Sequence, residues 1–205
     1  MKKKMYLVDN RPKFLFVLET IVQIVVIAAL GLFVAGFLFY PTETGSRSME
    51  PTVEPGSVVF TDRCVYKLSS PKRFDVIAFR RMDRAPDADI LVRRVVGLPG
   101  ETIRIDRGRV YIDGRELDVS GFISEITSDG IAGDGIRLAE NEYFVLGDTP
   151  ANSEDSRSST VGPVLRVQIV GKAWLSAKSI TEFQLIRQEF FGVFTPKRKP
   201  LRTTE

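Results

Sequence analysis

The strongest feature of the hydropathy pattern is one long apolar stretch, residues 14–40, which is broken by Glu19 and Gln23. Its last part, residues 21–40, carries no charge, and as a helix it would cross the ~30 Å hydrocarbon core of a bilayer. The pattern therefore predicts a transmembrane anchor. The alternative, a cleaved secretory signal peptide, has a shorter apolar region, and no Ala-x-Ala-like cleavage site follows this stretch.

Basic residues lie on the N-terminal side of this stretch, at Lys2, Lys3, Lys4, Arg11 and Lys13. Because Lys and Arg are enriched in cytoplasmic segments, we expect residues 1–13 to stay in the cytoplasm and the single anchor to place the remainder outside. Residues 195–205 form a second basic segment, which we expect to be a disordered tail.

After Pro41 the pattern changes to short alternating runs bounded by turn residues, which is typical of β-strands. Tight turns are predicted at Arg107-Gly108 and Asp113-Gly114, a loop over 81–89, and a possible later helix within 180–194. The fold class is therefore mostly β, with few helices and one extracytoplasmic domain over 41–194, built as packed sheets or as a partly closed barrel. Strands are predicted over 56–61, 73–79, 90–96, 102–106, 109–112, 142–146 and 167–174.

The composition restricts the kinds of functional site that this chain can have more than it restricts the fold. The 205 residues carry a net charge of only +3, which does not argue for nucleic acid as a partner. The chain contains no histidine, which excludes a Ser-His-Asp triad and any His-ligated metal site. The one cysteine, Cys64, cannot form an intrachain disulfide, and we expect it to be a buried small apolar residue. A serine hydrolase on this chain would need a base other than histidine.

Four segments carry the recognisable chemistry. They are Ser46-Arg47-Ser48-Met49-Glu50-Pro51-Thr52, Phe74-Asp75-Val76-Ile77-Ala78-Phe79, Arg93-Arg94-Val95-Val96-Gly97-Leu98-Pro99-Gly100-Glu101 and Gly147-Asp148-Thr149-Pro150-Ala151-Asn152-Ser153-Glu154-Asp155-Ser156-Arg157. In order and spacing they resemble the sequence boxes of bacterial type I signal peptidases (leader peptidases), which are membrane-anchored serine endopeptidases that remove signal peptides. The resemblance covers about residues 44–173 and implies a signal-peptidase-like β fold.

The first box matches the family pattern at every defined position, and the match implies that Ser48 is the nucleophile. It also implies that the Ser46 hydroxyl and the Ser48 backbone N–H bind the oxyanion. A serine hydroxyl needs such an oxyanion site and a nearby base, and without histidine the usual base is a buried neutral lysine. The alternative is that both residues are solvated turn serines.

The third box departs from the family pattern, because Arg93 stands where the family has its catalytic lysine. Arginine stays protonated in proteins, with a pKa above ~12, so it is a poor substitute for a base. No lysine lies between Lys72 and Lys172, and Lys72 adjoins the second box. Three interpretations stay open: catalysis has been lost, Arg93 positions Ser48 or the scissile carbonyl, or the substitution was introduced to trap the enzyme.

The last box implies supporting roles for three residues. Ser153 would orient the base side chain, and Asp155 and Arg157 would form an ion pair that braces the site; the alternative is an ordinary surface pair worth under ~1 kcal/mol. Thr149 and Pro150 replace the Asn-Arg pair of the family, which removes one backbone donor and one cation.

The resemblance also implies a substrate site and a function. Leu91 and Val92 would line shallow pockets beside which the substrate lies as an extended strand. The function implied is a signal peptidase of the cytoplasmic membrane that cleaves exported preproteins after small residues. A non-catalytic relative that binds signal peptides or partner proteins is one alternative, and a membrane-tethered structural β-domain is another. The partners expected are signal peptides and membrane lipid, with no nucleic acid, no metal and no cofactor.

Overall fold

The computed structural model describes residues 13–81, 90–179 and 182–186, and it divides into a helical unit that ends at Leu38 and a β-rich unit that begins at Phe39. The predictions for residues 1–12, for the loop at 82–89 and for the tail at 195–205 lie outside the described residues. The prediction of a mostly β chain preceded by one apolar helix is confirmed.

The helix α1 spans Lys13–Leu38. Within it, residues 14–33 have a mean hydropathy of 2.4 and none of them is buried, so the segment is long and apolar enough to cross a bilayer by length and composition. The helix ends two residues before the predicted boundary of the anchor. Pro41 lacks a backbone N–H and disfavours a helical residue before it, and the residues around it pair as a strand instead.

The β-rich unit contains twelve strands in its described residues, and most of them form one antiparallel sheet in the order β1-β2-β11-β3-β4-β9-β10, with β12 paired to β11. The second sheet has the order β7-β6-β5-β8. The strands are β1 Phe39–Thr44, β2 Ser57–Asp62, β3 Val76–Arg80, β4 Ile90–Gly97, β5 Thr102–Asp106, β6 Arg109–Ile112, β7 Arg115–Leu117, β8 Ile136–Arg137, β9 Glu142–Leu146, β10 Val164–Leu165, β11 Ile169–Ser179 and β12 Glu182–Leu185.

The turns of the smaller sheet follow directly from its sequence. Arg107 and Gly108 join β5 to β6 with φ angles of 50° and 74°, and Asp113 and Gly114 join β6 to β7 with φ angles of 48° and 76°. Two-residue turns with two positive φ angles match the twist of antiparallel strands, and glycine and aspartate tolerate them best. The prediction of tight hairpins at both places is confirmed.

The two sheets share one hydrophobic core, which favours the packed-sheet prediction over a barrel. Phe144, Leu146 and Val96 of the larger sheet pack in one cluster with Ile103 and Val110 of the smaller sheet. Strand β4 lies inside the larger sheet, and the cores on its two sides hold it in place. It therefore offers a rigid support for the side chains at its exposed end.

Three predictions about local structure are wrong. Within the segment 180–194, the possible later helix is contradicted at 182–185, which form β12 because they pair antiparallel with β11. Cys64 is half-buried and not buried, since it begins the short helix α2, Val65–Leu68, where its backbone N–H is bonded to the Asp62 carboxylate. The strand predicted from residue 73 begins at Val76, because Phe74 has a φ angle of 68°.

Candidate functional site

The predicted nucleophile lies in a short 3₁₀-helix, Arg47–Met49, whose N-cap is Ser46. Serine is a preferred N-cap residue because its hydroxyl accepts from a backbone N–H of the first turn. Here the Ser46 hydroxyl accepts from the Ser48 N–H at 3.1 Å and donates to the Ser48 hydroxyl oxygen at 2.8 Å. The two predicted oxyanion donors are therefore bonded to each other, and a ligand oxygen must replace these bonds to use them.

Thr149 and Gly147 hold this loop from behind. The Thr149 N–H donates to the Ser48 carbonyl at 2.9 Å, and its hydroxyl donates to the Glu50 carbonyl at 2.8 Å. A Cβ atom added at Gly147 would lie 2.7 Å from the Ser48 carbonyl oxygen and 2.3 Å from the Ser153 hydroxyl. The threonine that departs from the family pattern thus supports the nucleophile loop, and the site leaves no room for a side chain at position 147.

A cleft of about 330 Å³ brings together five of the predicted site residues, Ser46, Ser48, Leu91, Val92 and Arg93, whereas Ser153, Asp155 and Arg157 do not line it. Strand β4 pairs with β3 along Ile90–Arg94 but meets β9 only from Arg94 onward, so along 90–93 its other edge has no partner strand in the described residues. The cleft therefore combines the predicted nucleophile with an open strand edge. Its walls are formed by Thr42, Glu43, Thr44, Gly45, Ser46, Ser48, Met49, Ile90, Leu91, Val92 and Arg93.

Strand β1 was not predicted to take part in this site, although it supplies one wall of the cleft. Its residues Phe39 and Tyr40 continue the apolar run of the anchor, so no hydropathy signal marks the change from helix to strand. The signal that could have found it is Pro41 followed by alternating threonines at 42 and 44.

Arg93 occupies the position at which a base was expected, with only 3% of its surface exposed. Its Nε donates to the Glu154 carbonyl at 3.0 Å, and one Nη donates to the Val92 carbonyl at 2.7 Å. Burial lowers the pKa of Arg93 to about 10, and the nearby carboxylates, Asp155 foremost, oppose that shift. The guanidinium is therefore still protonated at neutral pH and cannot take a proton from Ser48. Lys72 is exposed and does not line the cleft.

The Ser153 hydroxyl oxygen is shielded from solvent and has no hydrogen-bond partner in the described residues. It was predicted to orient the base, but Arg93 is bonded to the carbonyl of the next residue, Glu154. The structure therefore places Ser153 beside the nucleophile loop, against Gly147, without a bond to the side chain at position 93.

Asp155 and Arg157 form a two-pronged ion pair, with Nε–Oδ1 at 2.9 Å and Nη–Oδ2 at 3.0 Å. Both side chains are buried, so this is not a surface pair. Asp155 also accepts from the Gly147 N–H at 3.1 Å, and Arg157 donates to the Pro150 carbonyl at 2.6 Å. The pair thereby connects both ends of the last box.

A second buried ion pair, Arg94 with Asp148, was not predicted. Arg94 donates from Nε to Oδ1 at 2.8 Å and from Nη to Oδ2 at 2.6 Å, and both side chains are fully buried. The Thr52 hydroxyl contacts both residues, and the Phe122 ring lies 4.1 Å from the guanidinium carbon. We call these two pairs, Arg94–Asp148 and Asp155–Arg157, the ionic brace. The sequence signal for the Arg94–Asp148 pair was the strand period, which points Arg94 away from Arg93.

Comparison with known proteins gives a consistent result. The model of the family described as "Signal peptidase, peptidase S26" matches residues 17–177. The chain is 31% identical to the probable signal peptidase I-2 of Synechocystis over 155 residues, which cover 73% of this chain and 67% of the relative. It is 33% identical to signal peptidase I of Bacillus caldolyticus over 162 residues, covering 74% and 84%. A signal peptidase I structure from Enterococcus faecalis matches with 29% identity and a TM-score of 0.40, over 51% of this chain and 97% of that one.

Proposed function

The chain belongs to the signal peptidase family, peptidase S26, and we propose that it is a membrane-anchored serine endopeptidase that removes signal peptides from exported preproteins after small residues. The observation that carries this proposal is the cleft in which Ser46 and Ser48 lie beside the open edge of β4.

The substrate would bind as an extended segment along residues 90–93. An open strand edge offers main-chain N–H and C=O groups that an extended peptide can pair with, as in other cases of strand addition. Leu91 and Val92 line the cleft next to this edge and would contact the side chains that precede the cleavage point. Both side chains are packed against hydrophobic clusters, which favours small residues in the substrate, because larger side chains would have to displace these packed neighbours.

The reaction would begin at Ser48. Its oxygen attacks the scissile carbonyl carbon, the C–N bond breaks, and the departing amine takes a proton; water then hydrolyses the acyl-serine and releases the signal peptide as a carboxylic acid. Ser46 would turn its hydroxyl from Ser48 to the developing oxyanion. Arg93 would stabilise the serine alkoxide as a fixed cation, and the serine proton would pass to solvent, because the guanidinium already holds its own.

The membrane arrangement follows from the charge pattern of the sequence. The apolar helix would span the cytoplasmic membrane once, with the basic residues 1–13 in the cytoplasm and the domain over 41–194 outside. This arrangement places the proposed cleft on the side of the membrane where exported preproteins emerge, and membrane lipid would surround the anchor.

The test is cleavage of a preprotein by the full-length chain in detergent micelles, with mass spectrometry of the product. We expect cleavage after a small residue that is abolished in Ser48→Ala and reduced about 10²–10³-fold in Ser46→Ala, because one oxyanion donor is lost. Ser120→Ala, an exposed turn serine bonded to Asp118, is the matched control and should leave the rate unchanged.

Cleavage that survives in Ser48→Ala would contradict the proposal. Binding of the preprotein without cleavage by the wild type would also contradict it, and would make the chain a peptide-binding member of the family.

A further inference from the structure

The cleft contains a buried cation that has no carboxylate partner among the described residues. Arg93 makes no ion pair with any described residue, and its two hydrogen bonds go to main-chain carbonyls. The three carboxylates that act on it, at positions 148, 154 and 155, are each bound to a different arginine. These pairs are Asp148–Arg94 at 2.6 Å, Glu154–Arg81 at 2.7 Å and Asp155–Arg157 at 2.9 Å. The three carboxylates therefore neutralise the three other arginines, and the positive charge of Arg93 is left over.

The guanidinium also has hydrogen-bond donors to spare. Arginine carries five N–H donors, and in Arg93 the Nε–H and one Nη–H are used by the Glu154 and Val92 carbonyls. One hydrogen on that Nη and both on the other Nη have no partner in the described residues. These remaining donors include one on each Nη, which together form the fork that binds both oxygens of a carboxylate.

Two hydroxyl groups near Arg93 in the cleft can also form further hydrogen bonds. The Ser46 hydroxyl donates to the Ser48 oxygen, so the Ser48 hydrogen remains for another acceptor. The Thr42 hydroxyl, also in the cleft wall and on a side chain with 8% of its surface exposed, has no hydrogen-bond partner in the described part of the chain. A neutral peptide carbonyl would accept from at most two of these donors and leave the cation without a counter-charge, whereas a carboxylate would accept from several and neutralise the cation.

We propose that the cleft is a binding site for the C-terminal carboxylate of an extended peptide, which Arg93 holds through its free fork and Ser48 through its hydroxyl. This inference rests on the peptide cleft of the proposed function, but not on cleavage. The peptide would lie along residues 90–93 and end at Ser48, with its last side chain against Leu91 and Val92. Such a peptide has the chemistry of a cleaved signal peptide, so the chain would retain its own product or capture one made elsewhere.

The experiment compares two forms of one fluorescent peptide that ends in alanine, one with a free C-terminal acid and one with a C-terminal amide. Binding to the full-length protein in detergent micelles is measured by fluorescence anisotropy at pH 7, where the acid is ionised. We expect the wild type to bind the acid about 10- to 100-fold more tightly than the amide, as for a hydrogen-bonded charge pair.

Two variants show whether Arg93 is the source of the preference. In Arg93→Met and in Arg93→Gln the ratio of the two affinities should fall to about 2-fold or less, because the fork is lost while the strand edge stays. Arg109→Met is the matched control: it removes the same charge from an exposed position on β6 and should keep the full ratio. Circular dichroism of each variant checks that it is folded.

Three results would overturn the inference. Equal affinity of the wild type for acid and amide would remove the carboxylate site and leave the peptide cleft of the proposed function intact. An acid preference that persists in both folded Arg93 variants would assign the carboxylate to another residue. Failure of the wild type to bind either peptide would overturn both the inference and the peptide cleft on which it rests.

Discussion

Arg93 and Arg94 are neighbours on strand β4, yet the partners of their guanidinium groups differ. Arg94 is fully buried with Asp148, the Thr52 hydroxyl and the Phe122 ring around it, and its pair with Asp148 is one of the two pairs of the ionic brace. Arg93 is almost as deeply buried, but its guanidinium is held by two carbonyls and is paired with no carboxylate in the part of the chain that the structure describes. Adjacent residues of a strand point to opposite faces, so the Arg94–Asp148 pair lies on the opposite face of β4 from Arg93.

The difference between the two arginines indicates that the ionic brace stabilises the fold, whereas position 93 serves the chemistry of the cleft. A buried ion pair with full hydrogen bonding is costly to break, and the ionic brace positions the last box against the nucleophile loop. The charge at position 93 has no such structural partner, so that position can change without loss of the brace. An intact brace and an altered base can therefore coexist in one molecule, and four substitutions test this separation.

The largest effect is expected from Arg93→Lys, which changes the cleft and leaves the brace alone. Burial that lowers the pKa of Arg93 would lower that of a lysine, which then becomes a neutral base above its pKa. Preprotein cleavage should rise about 10²–10⁴-fold, and it should increase with pH through the lysine pKa. In the wild type we expect no such step between pH 6 and 9, because Arg93 stays protonated below about pH 10. An unchanged rate in this variant would contradict the comparison.

Asp148→Ala tests the other face. It leaves Arg94 as an uncompensated buried charge, and we expect the free energy of unfolding to fall by about 3–5 kcal/mol, measured by urea denaturation. Asp106→Ala is the matched control, because its pair with Arg104 is about half exposed at 3.5 Å and should contribute less than about 1 kcal/mol. Similar decreases in the free energy of unfolding of the two variants would show that the ionic brace stabilises the fold no more than a surface ion pair does.

Gly147→Ala acts where brace and cleft meet. The added Cβ would lie 2.7 Å from the Ser48 carbonyl oxygen, so the nucleophile loop must shift, and we expect a loss of about 1–3 kcal/mol. Slower labelling of Ser48 by a serine-directed reagent should accompany it. Gly133→Ala, whose Cβ would meet nothing closer than 3.6 Å, is the control and should label at the wild-type rate.

The smallest effect is expected from Arg93→Met. Because the folded pKa of Arg93 is lowered, its charge opposes folding below about pH 10, and that penalty declines as the pH rises above this value. An apolar side chain of similar length should leave stability at pH 7 between no change and a gain of about 2 kcal/mol. A measurable loss of stability in Arg93→Met would show instead that Arg93 stabilises the fold.

The sequence was most informative where local chemistry decides the structure. Alternation predicted β5 and β6 of the smaller sheet but not β7 and β8. Arg107-Gly108 and Asp113-Gly114 predicted its two tight turns, because a positive φ angle is a property of one or two residues. The nucleophile loop, Ser46 to Thr52, was also predicted from its own residues, because they match the first box of the family. In these places the neighbours along the chain are also the neighbours in space.

The rest depends on partners that are distant along the chain. Strand β1 exists because it pairs with β2, while its first residues look like more of the anchor. Arg94 and Asp148 are 54 positions apart, and no local sequence pattern around either residue indicates that the two form a pair. The two partners of Arg93 are main-chain carbonyls, which every residue has, so no sequence pattern could have assigned them.

The mutual hydrogen bonds of Ser46 and Ser48 have a consequence for inhibitor design. A ligand that enters the oxyanion site displaces a protein hydroxyl and not a loosely held water, so it gains only the difference between two hydrogen bonds, each worth about 0.5–1.5 kcal/mol. Neutral carbonyl compounds would therefore compete poorly with the resting loop. An anionic tetrahedral warhead, whose oxygens accept more strongly than a serine hydroxyl, is the type of inhibitor for which this loop would open.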